Sequence, residues 1–388
     1  MSTSPAAGRV TVLVAPDKFK GSLTAGEVAR AIGEGLAARA PEGVDWRALP
    51  LADGGDGSVE AALAAGFEAV AVRVSGPTGE PVEGRIALRR GTAVLEVAGT
   101  CGLQALPGGR LEPLTSTSLG LGLAVRAGLA EGAARIVVGL GGSASTDGGA
   151  GMLAALGARF LDRRGEAFVP AGGTLCEVAR VDLSRIVDLA GVELVAASDV
   201  QNPLLGPDGA AAVYGPQKGA SPSELELLEA GLAHLVARLD EAGMPASSAA
   251  QRPGAGSAGG LGFAALLLGA RVVSGADFFL DLLGFDEALG GADLVVTGEG
   301  RLDGQTLSGK LPLAVARRAG ACSDGPVPVV AVVGHNALGR ESVPEHGIGR
   351  VYALSSMTER DTVSDPRLSA QLLAEAGRDI ARRLGVSF

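Results

Sequence analysis

Five turns of this chain gather the residue types that phosphoryl transfer requires. Pro16-Asp17-Lys18-Phe19-Lys20-Gly21-Ser22 sets two lysines beside an aspartate, and Asp53-Gly54-Gly55-Asp56-Gly57 spaces two carboxylates within a glycine turn. Gly141-Gly142-Ser143-Ala144-Ser145-Thr146-Asp147-Gly148-Gly149-Ala150-Gly151 mixes three hydroxyls and a carboxylate with glycines, and Ser198-Asp199 follows an apolar run. The fifth, Thr297 to Gly304, adds Glu299, Arg301 and Asp303. Lysines and main-chain N–H groups neutralise phosphate, carboxylates hold Mg²⁺ through its waters, and one carboxylate can take the proton of an attacking hydroxyl. Any one of these acids alone reads equally well as a turn or cap residue. Five such turns in one chain are more than capping needs.

The elements around them have the rhythm of an α/β protein. Arg9 to Ala15 and Val44 to Leu49 read as strands, each followed by an acidic turn and then a helix. Thr24 and Glu27 form a capping box ahead of Val28, Ile32 and Leu36. Ile136 to Leu140 leads into the Gly141 loop and Met152 to Leu156 into a helix, so that loop is a strand-to-helix turn whose free N–H groups attract anions. Gly76-Pro77-Thr78-Gly79 breaks the pattern, and Val82 to Leu88 with Ala93 to Val97 reads as a hairpin. Ser221, Pro222 and Glu224 start a helix carrying Leu225, Leu228, Leu232, Leu235 and Leu239. After Leu294-Val295-Val296 the βα rhythm returns, closing with a helix over Pro366 to Leu384. The expected fold is two dissimilar α/β domains. Residues 1–75 and 285–388 would form a doubly wound, Rossmann- or flavodoxin-like parallel sheet, with residues 76–284 inserted as a second domain of mixed sheet.

Composition narrows the classes. In 388 residues, 47% are hydrophobic and only 3% aromatic, which allows a large aliphatic core. A formal charge of −10 without a long basic run excludes a nucleic-acid partner. Cys101, Cys176 and Cys322 are too few and scattered for a disulfide framework. Met1 to Gly8 is polar, and no window approaches the roughly 20 apolar residues of a membrane span. A soluble, cytoplasmic protein acting on small molecules is expected, with a homo-oligomer left open. Four lysines, Lys18, Lys20, Lys218 and Lys310, all lie in polar loops, while arginine supplies the remaining positive charge.

Other constellations fall away. Gly304 to Lys310 has Walker A spacing, but Leu311 stands where Ser or Thr should ligate magnesium and the strand ahead of it ends at about Thr297; we read another kind of anion-binding turn. His234, His335 and His346 show no zinc spacing. Gly254-x-Gly256-x-x-Gly259 lacks the strand that a dinucleotide fingerprint needs.

Six motifs then add up. Ala15 to Leu23, Pro50 to Gly57, Gly141 to Gly151, Ser198 to Leu204, Gly215-Pro216-Gln217-Lys218-Gly219-Ala220 and Thr297 to Gly300 together resemble, in order, the bacterial type-1 glycerate kinase family. The resemblance runs from about residue 10 to the C-terminus. It implies ATP-dependent, Mg²⁺-requiring phosphorylation of D-glycerate, 2-phosphoglycerate as product, and two α/β domains with the active site between them.

The residues themselves suggest roles. Asp199 or Asp53 would accept the hydroxyl proton, with Lys18 and Lys20 countering charge. Asp56 and Asp147 would hold Mg²⁺. Ser143, Ser145 and Thr146 would donate to phosphate or to the carboxylate of the acid. Within the matched motifs and the neighbouring turns, Ser22, Gly142, Asn202, Lys218, Glu299, Arg301 and Lys310 are further substrate- or phosphate-binding candidates. Phosphorylation at O3, a kinase for another small hydroxy acid, and a non-catalytic nucleotide- or anion-binding module are the alternatives.

Overall fold

Val12, Leu13, Val14 and Ala15 are wholly buried, as a β-branched run must be when helices cover both faces of a parallel sheet. The computed structural model describes residues 9–40, 43–304, 306, 310–341 and 343–384. The chain divides into two units, Met1–Asp53 with Ala276–Phe388, and Gly54–Gly275.

The first unit is built on five parallel strands in the spatial order Arg350–Ala353, Val329–Asn336, Leu294–Leu302, Val10–Pro16, Val44–Ala48. Helix Ala25–Arg39 buries Val28, Ile32 and Leu36, and helix Pro366–Arg383 buries Leu372, Leu373 and Ile380 in the same core. The expected capping box is present: Thr24 Oγ1 accepts from Glu27 N–H at 3.2 Å, and Thr24 N–H donates to the Glu27 carboxylate at 2.9 Å.

The second unit carries a six-stranded mixed sheet. Arg271–Val273, Glu193–Ala197, Arg135–Gly139 and Thr92–Glu96 are parallel, whereas Thr92–Glu96, Pro81–Arg89 and Glu68–Ser75 pair antiparallel. Helix Pro222–Glu241 begins at the anticipated Ser221, Pro222 and Glu224, Ser221 and Glu224 forming a capping box, and buries Leu228, Leu232, Leu235 and Leu239. A small antiparallel sheet, Ala167–Phe168, Arg159–Leu161 and Arg180–Asp182, has no counterpart in the sequence reading.

Two expectations need correcting. The boundaries anticipated after residues 75 and 284 lie after residues 53 and 275 instead, because Glu68–Ser75 pairs along its whole length with Pro81–Arg89 and so joins the inserted sheet. The segment Thr297 to Leu302, read as a turn, continues the strand and pairs as far as Leu302 with Asn336. Gly298 permits this: a Cβ there would lie 2.2 Å from the Val332 carbonyl oxygen. Among the described residues no helix is long and apolar enough to cross a membrane.

Candidate active site

In the first unit the chain adds Val44–Ala48 on one side of Val10–Pro16 and Leu294–Leu302 on the other. The direction of winding therefore reverses between Val10–Pro16 and Leu294–Leu302. At such a switch point the loops leaving adjacent strands diverge and open a crevice at the carboxyl edge of the sheet. Asp17 stands there, 8% exposed, its N–H donating to Gly298 O at 2.8 Å. Lys18 N–H donates to Asp17 Oδ1 at 2.7 Å, and its ammonium lies 3.8 Å from the same oxygen. Asp53 follows two residues after Leu51, whose N–H donates to Pro16 O at 2.9 Å.

Glu299 belongs to this group. It is buried and accepts a 2.7 Å hydrogen bond from Thr306 Oγ1. Burial pushes its pKa up to about 8; the Thr306 bond and Lys310 pull it down, while Asp17 and Asp53 push it further up. Asp17, Asp53, Glu299 and Lys310 thus share one electrostatic neighbourhood. Arg301 and Lys20 are exposed, Arg301 pairing with Asp303 at 3.3 Å, and Ser22 Oγ donates to Thr362 O at 3.2 Å. The Walker-like stretch falls partly outside the described residues; Lys310, which is described, is half-buried just ahead of helix Leu311–Gly320.

The second unit holds the Gly141 loop, and its polar groups turn inward. Asp147 is wholly buried. Its Oδ2 accepts from Ser118 N–H and Ser118 Oγ at 2.7 Å each, from Gly151 N–H at 3.2 Å and from Thr117 Oγ1 at 3.5 Å, and its Oδ1 accepts from Gly149 N–H at 3.1 Å. The carboxylate ties the loop to the start of helix Leu119–Ala130. Lys218, 2% exposed, donates to Ser143 Oγ at 2.8 Å and to Ser145 O at 2.5 Å. Burial pushes its pKa down to about 8, opposed by Asp147 and Cys101. Gly259, at φ +70, makes room: a Cβ there would sit 2.0 Å from Ser145 O. The hydroxyls of Ser145 and Thr146 are buried and have no hydrogen-bond partner among the described residues. Only Gly141 and Gly142, both half-buried, bring this segment toward solvent.

Asp199 is exposed after its strand, with Oδ1 accepting from Gly275 N–H at 3.0 Å. Asp56 is half-buried in a turn that packs on Gly141. Asn202 is held on both sides, accepting from Tyr214 Oη at 2.7 Å and donating to Asp208 O at 2.8 Å. Sequence reasoning passed over Thr306, Ser118 and Ser257. The last pairs with Ser198, Oγ to Oγ, at 3.1 Å. Of these only Thr306, three residues after Asp303, carries a local signal, as an Asp-x-x-Thr turn.

Carboxylates and lysines gathered at a switch point can bind a polyanion and manage a proton, and the second unit carries its own glycine-rich strand-to-helix loop. Proteins of similar sequence point the same way. A family model described as the glycerate kinase family matches residues 12–385. The chain is 40% identical to the glycerate kinase of Bacillus subtilis over 95% of its length and 96% of that protein. It is 37% identical to the glycerate 2-kinase of Escherichia coli, covering 97% of this chain and 98% of that one. A crystal structure of a protein assigned as glycerate kinase 2 from Salmonella typhimurium LT2 superposes with a TM-score of 0.79 at 37% identity, over 97% of this chain and 99% of that chain. The chain is an enzyme and belongs to the glycerate kinase family.

Proposed function

We propose that the enzyme transfers the γ-phosphoryl group of ATP to O2 of D-glycerate, giving 2-phosphoglycerate and ADP. The observation that carries this beyond the family is the shared neighbourhood of Asp17, Asp53, Glu299 and Lys310 at the switch point of the first unit. Phosphoryl transfer needs acids and ammonium groups close enough to influence each other's charge, and here they do.

In the reaction the C2 hydroxyl oxygen bonds to the γ-phosphorus as the bond from that phosphorus to the β–γ bridging oxygen breaks. The hydroxyl proton passes to a carboxylate, Asp53 or Asp199, and the electron pair leaves with ADP. Lys18, Lys20 and Lys310 offset the charge of the phosphates. Glu299, whose pKa is about 8, is largely protonated at neutral pH and so adds little repulsion toward a polyanion.

Magnesium fits the donor set in a limited way. Among the described residues no three acidic, histidine or cysteine side chains gather as a ready-made cage. That suits an ion bound by one or two carboxylates together with substrate phosphates. Asp56 remains a candidate for that role. Asp147, whose oxygens accept five hydrogen bonds, is better placed as a structural carboxylate. When bound, the ion would supply charge neutralisation on the phosphates.

The experiment is ADP release from ATP and Mg²⁺ with and without D-glycerate. Release that depends on the acid is expected. Release at an unchanged rate without it would remove the proposal.

A further inference from the structure

A cleft of about 470 Å³ opens in the first unit at the carboxyl edge of Leu294–Leu302, Val329–Asn336 and Arg350–Ala353. We infer that it receives the nucleotide, with the polyphosphate against Lys20, Arg301 and His335 and the base against the apolar rim at Val363. This rests on the kinase reading above and adds to it which surface takes ATP.

Three observations converge. The first is register. Arg301 and His335 are direct partners in adjacent parallel strands, so their side chains leave the same face of the sheet, one strand spacing apart. His335 Nδ1 lies 3.1 Å from Ser355 Oγ, which orients the ring, and Lys20 approaches from the loop whose backbone passes over Gly300. A guanidinium, an imidazole and an ammonium therefore line one wall, in a chain whose formal net charge is −10. Attraction for an anion is local here, as it must be when the protein as a whole repels one.

The second observation is how the turn that carries Val363 is held. Arg360 is paired with Asp365 at 2.8 Å. Asp361 accepts from Val363 N–H at 2.8 Å and from Ser364 Oγ at 2.5 Å. These contacts build the 360–365 turn and set the position of Val363; the Asp361 and Glu359 carboxylates also line the cleft, so the cations at Lys20 and Arg301 must outweigh them. Ser22 is tied into the same turn through Thr362 O.

The third is the rim itself. Val363 is 59% exposed, an apolar side chain displayed on a polar turn, and buried Phe19 lines the same cleft. Ligand sites pair apolar surface with a few placed polar groups, and their volumes run from about 300 to 1000 Å³, a range that includes this cleft. A three-carbon acid would leave most of this space to solvent. A nucleoside triphosphate is anionic at one end and flat and apolar at the other, and it matches both the dimensions and the division of chemistry.

The test is titration of the protein with a fluorescent N-methylanthraniloyl-ATP, followed by steady-state kinetics. Arg301→Ala/His335→Ala should weaken analogue binding by about tenfold or more through loss of charge-assisted contacts, and Val363→Asp should weaken it comparably. Both changes are at exposed positions, and matching thermal melts will show that the variants fold. KM for ATP should rise in step while KM for D-glycerate stays within about twofold, since only nucleotide contacts change. Wild-type analogue affinity in both variants overturns the inference. So does a rise in KM for D-glycerate alone, which would place the acid in the cleft. If wild-type protein binds the analogue, the variants lose it, and no D-glycerate-dependent ADP release occurs, the nucleotide cleft stands and the kinase reading falls.

Discussion

Thr306 Oγ1 donates to Glu299 Oε1 across 2.7 Å, and this bond is the direct polar support of a carboxyl group that burial holds near a pKa of about 8. The folded protein keeps the Glu299 proton that the unfolded chain releases near the ordinary carboxyl value of 4.5. The folded state therefore binds more protons between 4.5 and about 8, and Glu299 contributes stability below 4.5 that is lost as pH rises to about 8. Glu299→Gln can still accept from Thr306 but does not titrate. Thermal melts across that window should show wild-type stability falling relative to Glu299→Gln as pH rises; parallel curves would contradict the assignment.

Asp147→Asn tests whether that carboxylate is structural. An amide oxygen cannot accept from all the groups now bonded to the two carboxylate oxygens, and its NH₂ faces donors. A loss of about 1–3 kcal/mol in denaturant unfolding is expected for the buried group left mispaired. The magnesium concentration for half-maximal activity should stay as in wild type. A stable variant with a raised magnesium requirement would return Asp147 to the metal.

Lys218→Met removes the ammonium that ties Ser143 Oγ to Ser145 O while nearly conserving volume. The two oxygens lose a buried donor, so stability should drop by about 1–3 kcal/mol. Turnover should fall with it if the loop geometry matters. Unchanged urea midpoint and unchanged turnover would mean that the lysine positions nothing.

Asp53→Asn and Asp199→Asn separate the two candidate proton acceptors. Loss of the acceptor should lower kcat by about 100-fold or more with a smaller change in KM. One of the two variants should behave this way. Wild-type turnover in both would exclude the proposed proton transfer.

Much of the architecture was legible because its signals are local. The β-branched run before Asp17, the Thr24/Glu27 and Ser221/Glu224 boxes and the hairpin between Pro81–Arg89 and Thr92–Glu96 each announce themselves within a few residues. What escaped depends on distant partners. Thr297 to Leu302 looks like a glycine turn until Val329–Asn336 pairs with it. Glu68–Ser75 looks like the end of one domain until Pro81–Arg89 claims it. The acids and lysines were found by type and spacing, but orientation was not: Asp147 faces inward because Ser118, 29 residues earlier in the chain, supplies two donors. The cleft at Arg301 and His335 was invisible for the same reason, since strand register brings the pair together.

The most direct measurement supplies the protein with ATP, Mg²⁺ and D-glycerate, then adds enolase without a phosphoglycerate mutase and follows phosphoenolpyruvate. Immediate formation is predicted, because enolase consumes the 2-phosphorylated acid. A product that reaches phosphoenolpyruvate only after mutase is added would place the phosphoryl group on O3, and no D-glycerate-dependent ADP release would contradict the account outright.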